Sequence, residues 1–212
     1  MNYLSAIFKF GLSSIGIITV YSVLFYCFMP LQIGLQPLGE VRYEYLSLVE
    51  KELEAFYKAN VIILKPQELP IDAYDSKRKR YNANKILSYL WPQKLLQFHK
   101  IMGVTEVDIL SYRWQMKPIG VLGLANIYGR ASVISTYRCG KKASKKRKRD
   151  RFAKNALHEM GHNLGLPHCE SKSRTCFMND SKGTIKTIDR ERRHLCTDCQ
   201  RKIGNVIRKT IP

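Results

Sequence analysis

The stretch HEMGHNLGLPHC, from His158 to Cys169, constrains the fold of this chain more than any other feature. His158 and His162 stand four residues apart, and a helix places side chains at that spacing on one face. Both imidazoles can therefore approach one metal ion at about 2.0 to 2.1 Å. Gly165 can take the left-handed conformation that ends a helix, so that the returning chain brings His168 to the same ion. The pattern predicts a helix, a sharp turn and a three-histidine zinc site.

Three neutral imidazoles around zinc leave the fourth position open for water, which indicates a catalytic ion rather than a structural one. Glu159 follows the first histidine and lies about 100° round the helix from it, where its carboxylate can bind that water instead of the metal. This placement predicts a general base. The alternative is an HExxH pattern that arose by chance on an amphipathic helix, and the presence of both Gly165 and His168 argues against it.

Four of the six cysteines fall between Cys169 and Cys199, which is too uneven a distribution for a disulfide scaffold. Cys196 and Cys199 form the chelating pair CTDC, and with Cys169 and Cys176 they complete a closed tetrahedral zinc site that has no place for substrate. Two disulfides or reduced core thiols are the alternatives, but a disulfide across the two-residue gap of CTDC would close a small strained loop. The sequence therefore predicts two Zn²⁺ ions, one catalytic and one structural.

An uncharged apolar run, FGLSSIGIITVYSVLFYCFM, occupies residues 10–29 and ends at Pro30. Its length is what a helix needs to cross a bilayer. A cleaved signal peptide or a buried helix is the alternative, but no small-x-small cleavage site follows the run. We therefore expect a single-pass membrane anchor in residues 1–30 and one domain in residues 31–212. Lys9 and the terminal amine precede the run, whereas only Arg42 is basic in the twenty residues after it, so the positive-inside rule favours a domain outside the cytoplasm over one on the cytoplasmic face.

The formal net charge of +19 would attract acidic polymers or anionic membrane surfaces. The densest basic run has nine Lys or Arg residues between Lys141 and Lys154. We expect residues 140–150 to form a solvated, mobile basic loop, with the histidine-bearing helix beginning at Asp150. Contact between this loop and anionic lipid is the alternative. No aromatic residues are interleaved to stack on bases, which argues against nucleic acid.

The rest of the chain alternates between helical and strand-like patterns. We predict helices over residues 41–59 and 82–102, the second broken at Pro92, and strands over residues 33–38, 61–64, 107–110, 119–125 and 131–136. This order of elements predicts a mixed α/β sheet. The last two strands supply the edge to which an extended peptide is most readily added as a further strand.

The sequence resembles the archaemetzincins, a family of metzincin zinc peptidases, over about residues 32–202. The resemblance rests on HEMGHNLGLPHC, CFM and CTDC, and on IGLQPLG, VTEVDIL and GLANIYGRASVIS upstream of them. It implies a metzincin-like zincin fold of the α/β class, with a mixed twisted sheet, an active-site helix and a small carboxy-terminal part, residues 169–202, built on the second zinc. It also implies that Met178 is the methionine of the turn under the catalytic metal, whereas in isolation it would be taken for a core methionine.

Two features depart from the family pattern. Six residues, ESKSRT, separate Cys169 from Cys176, where the family usually has four. The amino-terminal apolar run and the long basic run are not required by the family either. Localisation is therefore predicted from the chain's own charge pattern and not from the resemblance.

These features together predict a zinc metallopeptidase. His158, His162 and His168 would hold the ion, while Glu159 takes a proton from water and later delivers it to the leaving amine. No tyrosine follows Tyr137, so the sequence offers no second electrophile for the oxyanion. We expect a monomer that acts on peptides or proteins. The alternative is a membrane-tethered, catalytically silent zinc protein whose basic loop contacts anionic lipid or nucleic acid, but a purely structural site has no use for Glu159.

Overall fold

A computed structural model of the chain describes residues 30–91, 97–112, 117–182 and 184–210, with side chains described as far as Gly204. The predicted membrane anchor falls on residues 1–30 and lies, but for Pro30, outside the described residues. Within the described ranges, no helix is both long enough and apolar enough to span a bilayer.

Nine strands and five α-helices are found in these ranges. The strands are β1 (Gln32–Pro37), β2 (Asn60–Ile63), β3 (Tyr74–Asp75), β4 (Arg80–Asn82), β5 (Lys100–Thr105), β6 (Ile109–Ser111), β7 (Ile119–Val121), β8 (Gly123–Ala125) and β9 (Ala131–Ser135). The α-helices are α1 (Tyr43–Tyr57), α2 (Ala83–Leu90), α3 (Lys145–Asn163), α4 (Ile185–Arg190) and α5 (Thr197–Thr210).

The main sheet has five strands in the order β2-β1-β5-β9-β8. The first four run parallel, and only β8, at the edge, is antiparallel to its neighbour β9. The strands β3-β4-β6-β7 form a smaller second sheet. This arrangement confirms the predicted mixed α/β fold.

Apolar side chains cover both faces of the main sheet, because successive residues of a strand point to opposite sides. Met102 and Val104 belong to the core shared with α1 and α3, whereas Ile101 belongs to the core shared with α2. Tyr45 of α1 meets Phe152 of α3 edge to face, with ring centroids 5.5 Å apart. The histidine-bearing helix therefore packs against both α1 and the sheet.

The predicted helix over residues 82–102 is wrong in its second half. The helix α2 ends at Leu90, and residues 100–105 form β5, the central strand of the main sheet. All six residues of β5 are buried, including the amino-terminal Lys100. A strand that is buried on both faces lacks the alternating pattern of a surface strand, so local periodicity cannot distinguish it from a buried helix.

The strands predicted over residues 107–110 and 119–125 are also divided differently. Residues 119–125 form two strands, since β7 pairs with β6 in the small sheet and β8 pairs with β9 in the main sheet. The strand predicted at residues 107–110 is β6, which begins at Ile109 and belongs to the small sheet. Membership of a sheet is decided by partners far away in the chain, which local patterns do not record.

The prediction of a mobile basic loop over residues 140–150 is wrong for most of its length, and so is the helix start at Asp150. The helix α3 begins at Lys145, because the Ser144 hydroxyl caps it by accepting a hydrogen bond from the backbone N–H of Arg147 at 3.3 Å. Several of the basic side chains are neutralised within the domain. Arg151, only 2% exposed, forms a two-pronged ion pair with Asp189, with both N–O distances 2.7 Å.

Candidate metal centres

The three histidines of HEMGHNLGLPHC converge at the carboxyl end of α3. One ring nitrogen each from His158, His162 and His168 lies within 4.8 Å of the other two. The turn that returns His168 depends on Gly165, whose φ is +92° and whose N–H donates to the His162 carbonyl oxygen at 2.9 Å. The structure therefore brings together the three side chains that the sequence singled out.

Backbone carbonyls fix the tautomer of the two helical histidines. The Nδ1 atom of His158 lies 2.7 Å from the Phe177 carbonyl oxygen, and that of His162 lies 2.7 Å from the Leu166 carbonyl oxygen. A carbonyl oxygen only accepts, so each Nδ1 carries the proton and each Nε2 presents a lone pair. The two Nε2 atoms are 3.0 Å apart. Both rings are thus oriented as metal ligands.

Burial keeps these imidazoles neutral. It lowers the pKa of His158 to about 3, with a further contribution from neighbouring His162. Burial also lowers the pKa of His162. A neutral imidazole is the form that binds a divalent ion, so His158 and His162 can bind zinc without the loss of a proton near neutral pH.

Glu159 lies between α3 and the edge strand β8. Its side chain is 6% exposed, and burial raises its pKa to about 8. A β-carbon built on Gly123 would come within 2.8 Å of the Glu159 Oε1 atom, so the carboxylate packs directly against the strand backbone. Asn155, one turn earlier on α3, donates a 3.0 Å hydrogen bond to the Leu122 carbonyl oxygen. These contacts hold α3 against the sheet edge at Leu122 and Gly123.

Met178 packs against α3 between the two helical histidines. It is fully buried, and a β-carbon on Gly161 would come within 2.6 Å of its sulfur atom. Its carbonyl oxygen accepts a 2.7 Å hydrogen bond from the N–H of Cys169, the residue after His168. Met178 therefore packs against α3 at Gly161, in keeping with the packing role that the resemblance implies.

The four clustered cysteines form a second centre. The sulfur atoms of Cys169, Cys176, Cys196 and Cys199 all lie within 4.8 Å of one another. Among the described residues every cysteine is a free thiol, and the Cys169 and Cys196 sulfurs are 3.6 Å apart. A tetrahedral zinc site with Zn–S bonds of about 2.3 Å has S–S edges of about 3.8 Å, whereas a disulfide needs about 2.0 Å. The spacing fits four metal ligands and not two disulfides.

The acidity of these thiols also fits a cation. Burial raises the pKa of Cys176 to about 11 and raises that of Cys199 further still. Burial acts in the same direction on Cys196, but hydrogen bonds from Ser171 and from the Cys199 backbone outweigh it and lower the Cys196 pKa to about 6. Since a thiolate is the ligand form, a bound cation is needed to hold Cys176 and Cys199 deprotonated at neutral pH.

The turn between β8 and β9, marked in the sequence by Asn126 and Gly129, also contacts the histidine site, which the sequence did not predict. Residues 126–130 connect β8 to β9, and Lys100 anchors them by donating hydrogen bonds to the carbonyl oxygens of Gly129 at 2.9 Å and Asn163 at 2.7 Å. The Asn163 side chain donates to the carbonyl oxygens of Asn126 and Ala131 at 3.3 and 3.0 Å. The sequence signal for these contacts was Lys100 next to the apolar run IMGV. A lysine that is buried with such a run requires hydrogen-bond acceptors nearby.

Comparison with known proteins gives a consistent result. The profile of peptidase family M54 matches residues 39–205 of this chain. An archaemetzincin of Halobacterium salinarum is 30% identical over 181 residues, which cover 82% of this chain and 99% of that protein.

Two solved structures share the fold. The crystal structure of archaemetzincin from Archaeoglobus fulgidus superposes with a TM-score of 0.69 at 31% identity, covering 81% of this chain and 99% of that one. A zinc-dependent peptidase from Methanocorpusculum labreanum gives a TM-score of 0.66 at 27% identity, covering 81% of this chain and 99% of that one. The resemblance thus extends over nearly the whole of each relative.

Proposed function

Because this chain belongs to peptidase family M54, the archaemetzincins, and is a zinc metallopeptidase, we propose that it hydrolyses peptide bonds at the three-histidine centre with Glu159 as general base. One observation carries this proposal: the three converging imidazoles share a helix and its following turn with a buried carboxylate that touches the edge strand of the sheet. Metal ligands, base and substrate edge are then within reach of a single peptide bond.

His158, His162 and His168 would hold the catalytic zinc, which when bound polarises the scissile carbonyl and makes a water molecule more acidic. Glu159 accepts the proton of the attacking water and delivers it to the leaving amine. Burial favours the protonated carboxyl that the second step needs, while a nearby cation favours the carboxylate that the first step needs. These opposing influences suit a group that must take up and release a proton near neutral pH.

The outer edge of β8 would bind the substrate backbone. The sheet ends at β8, and Leu122 and Leu124 direct their backbone groups towards β9. In an antiparallel ladder the intervening residues point the other way, so Gly123 and Ala125 offer their N–H and C=O groups to an added strand. A peptide bound there passes Gly123, and hence Glu159.

The cysteine centre would hold a second, structural zinc. Its four ligand positions are filled by protein sulfur, which leaves no place for water or substrate. Cys169 follows His168 directly, and its N–H is bound to the Met178 carbonyl oxygen. Metal at this centre would therefore fix the chain immediately after the third histidine. The purified protein should contain two zinc ions per chain.

The decisive experiment compares wild type with Glu159→Gln on a mixture of peptides, with zinc measured in both proteins. Removal of a general base typically costs about 10²- to 10⁴-fold in turnover, and the variant should keep all of its zinc because Glu159 is not a ligand. His162→Ala is the matched control, since it should lose both activity and one zinc ion. Equal turnover by wild type and Glu159→Gln would contradict the mechanism.

The membrane anchor in residues 1–30, a domain outside the cytoplasm and a monomeric state stay predictions from the sequence. Cell fractionation combined with protease protection tests the first two. A full-length chain recovered entirely in the soluble fraction would contradict the anchor.

A further inference from the structure

Two large apolar side chains are exposed at the end of the proposed substrate edge. Ile127 is 50% exposed and Tyr128 is 65% exposed, and both lie in the loop that follows β8. This loop is not free to turn them inward, because Lys100 and Asn163 tie its backbone to the end of α3. Side chains held in this way beside the proposed substrate edge are available to contact a bound peptide without rearrangement of the loop.

The backbone of Tyr128 is held in an unfavourable conformation. Its φ is +60°, in the left-handed region that bulky residues seldom adopt. Its N–H donates a 3.0 Å hydrogen bond to the carbonyl oxygen of His162, so the strained residue is attached to a helical histidine of the metal centre. Strain of this kind persists where the surroundings impose it and is concentrated at functional sites.

The ring of Tyr128 rests on the turn between the second and third histidines. A β-carbon on Gly165 would come within 2.2 Å of the Tyr128 Cε1 atom, so the ring lies directly against the Gly165 backbone. With its Cε1 side against this turn and 65% of its surface exposed, Tyr128 stands in solvent next to the backbone that joins His162 to His168. The position of Tyr128 relative to β8 determines which part of a peptide it meets.

The direction in which a peptide runs along β8 determines which of its residues lie near Tyr128. Antiparallel pairing is the commoner and slightly more stable arrangement, and a peptide paired in this way runs from Ala125 towards Gly123. With the scissile bond opposite Gly123 and Glu159, its amino-terminal residues lie towards Ala125 and the loop beyond.

We propose that Tyr128 is a specificity-determining residue that packs against a large apolar or aromatic side chain of the substrate residue directly before the scissile bond. This inference rests on the proposed function, because it takes the peptide to lie along β8. Aromatic rings gain from offset or edge-to-face packing with another ring and from apolar contact with leucine-like side chains. Polar side chains at the same substrate position gain neither.

The test uses a set of peptides that differ only in the residue preceding the cleaved bond, carrying phenylalanine, leucine or serine there, with the cleavage position verified by mass spectrometry. Wild type should favour phenylalanine over serine by about tenfold or more in kcat/KM. Tyr128→Asn should remove most of this preference, since asparagine tolerates a positive φ and keeps the fold while losing the ring. Tyr128→Phe should retain the preference.

Tyr137→Asn is the matched control. Tyr137 is similarly exposed, at 58%, but follows the carboxyl end of β9, whereas the Tyr128 loop precedes the amino end of that strand. The Tyr137→Asn variant should keep the wild-type ratio of kcat/KM for the phenylalanine peptide to that for the serine peptide. A uniform loss for all three peptides in Tyr128→Asn, or an unchanged ratio, would overturn the assignment.

Failure of the two proposals gives different results. A wild-type protein that is loaded with zinc and cleaves no peptide overturns the proposed function, and the role of Tyr128 falls with it. A wild-type protein that cleaves, but whose preference lies only in the residue after the cleaved bond, overturns the role of Tyr128 and leaves the proposed function intact.

Discussion

The backbone of Gly123 lies in contact with the side chain of Glu159. A β-carbon at position 123 would come within 2.7 Å of the Glu159 Cγ atom and 2.8 Å of its Oε1 atom, distances that real β-carbons do not reach. The edge strand can approach the proposed base this closely only because residue 123 has no side chain. The distance between a substrate backbone on β8 and the Glu159 carboxylate is therefore set by the absence of a β-carbon at residue 123.

Gly123→Ala should lower kcat/KM for peptide cleavage by about 100-fold, because the added methyl group displaces either the carboxylate or the strand by a fraction of an ångström or more. Zinc content should not change, since no ligand is moved directly. Gly140→Ala serves as the control, as its β-carbon would meet nothing closer than the Lys148 Cδ atom at 3.4 Å. Full activity in Gly123→Ala would show that Glu159 does not act from its position against the strand.

Gly161→Ala should destabilise the protein by about 1 to 3 kcal/mol, because its β-carbon would overlap the Met178 sulfur at 2.6 Å. Urea denaturation of the zinc-loaded protein measures this loss. The double variant Gly161→Ala, Met178→Ala should be more stable than the sum of the two single losses predicts, since removal of the thioether makes room for the new methyl group. Strict additivity would indicate that the two residues do not press against each other.

Cys169→Ser should reduce the zinc content from two ions to one and weaken the remaining site by about tenfold, although every histidine is kept. The reason is that Cys169 anchors the segment that positions its neighbour His168. Titration with a chelator measures the remaining affinity. Cys139→Ser, a buried thiol outside the cluster, should keep both ions. An unchanged zinc affinity at the histidine site in Cys169→Ser would show that the two centres are not coupled.

Glu191 should make the stability of the fold depend on pH. Burial raises its pKa to about 8, against the favourable effect of Lys154 on the carboxylate, and its Oε1 atom has no hydrogen-bond partner among the described residues. Between the unfolded value of about 4.5 and the folded value of about 8, the native state binds a proton that the unfolded chain lacks. The stability this provides is complete below pH 4.5 and is lost as the pH rises through 8.

The measurement is the free energy of unfolding at pH 5 and at pH 9 for wild type and Glu191→Gln. Relative to the variant, wild type should lose more than about 1 kcal/mol between the two pH values. The comparison between proteins cancels the pH dependence of zinc binding, which both share. Parallel pH profiles would mean that Glu191 is ionised in the native state.

Local patterns predicted the parts of the site that are close together in the chain. The spacing of His158 and His162 belongs to any helix, and CTDC positions Cys196 and Cys199 through a single turn, so the sequence alone identified both clusters. The same kind of reasoning failed for Lys145, where a capping serine and neutralising carboxylates turned an expected loop into helix. It also failed for β5, which is buried on both faces.

The sequence by itself determined which residues gather into the two clusters and that helices and strands alternate, because these properties depend on spacing over a few residues. Only the tertiary structure decided that Gly123 faces Glu159, that Tyr128 lies on Gly165 and that Lys100 ties the loop to α3. Each of these contacts joins residues some thirty or more positions apart. They follow from the order of strands in the sheet, which is set by the packing of the whole core and not by any local pattern.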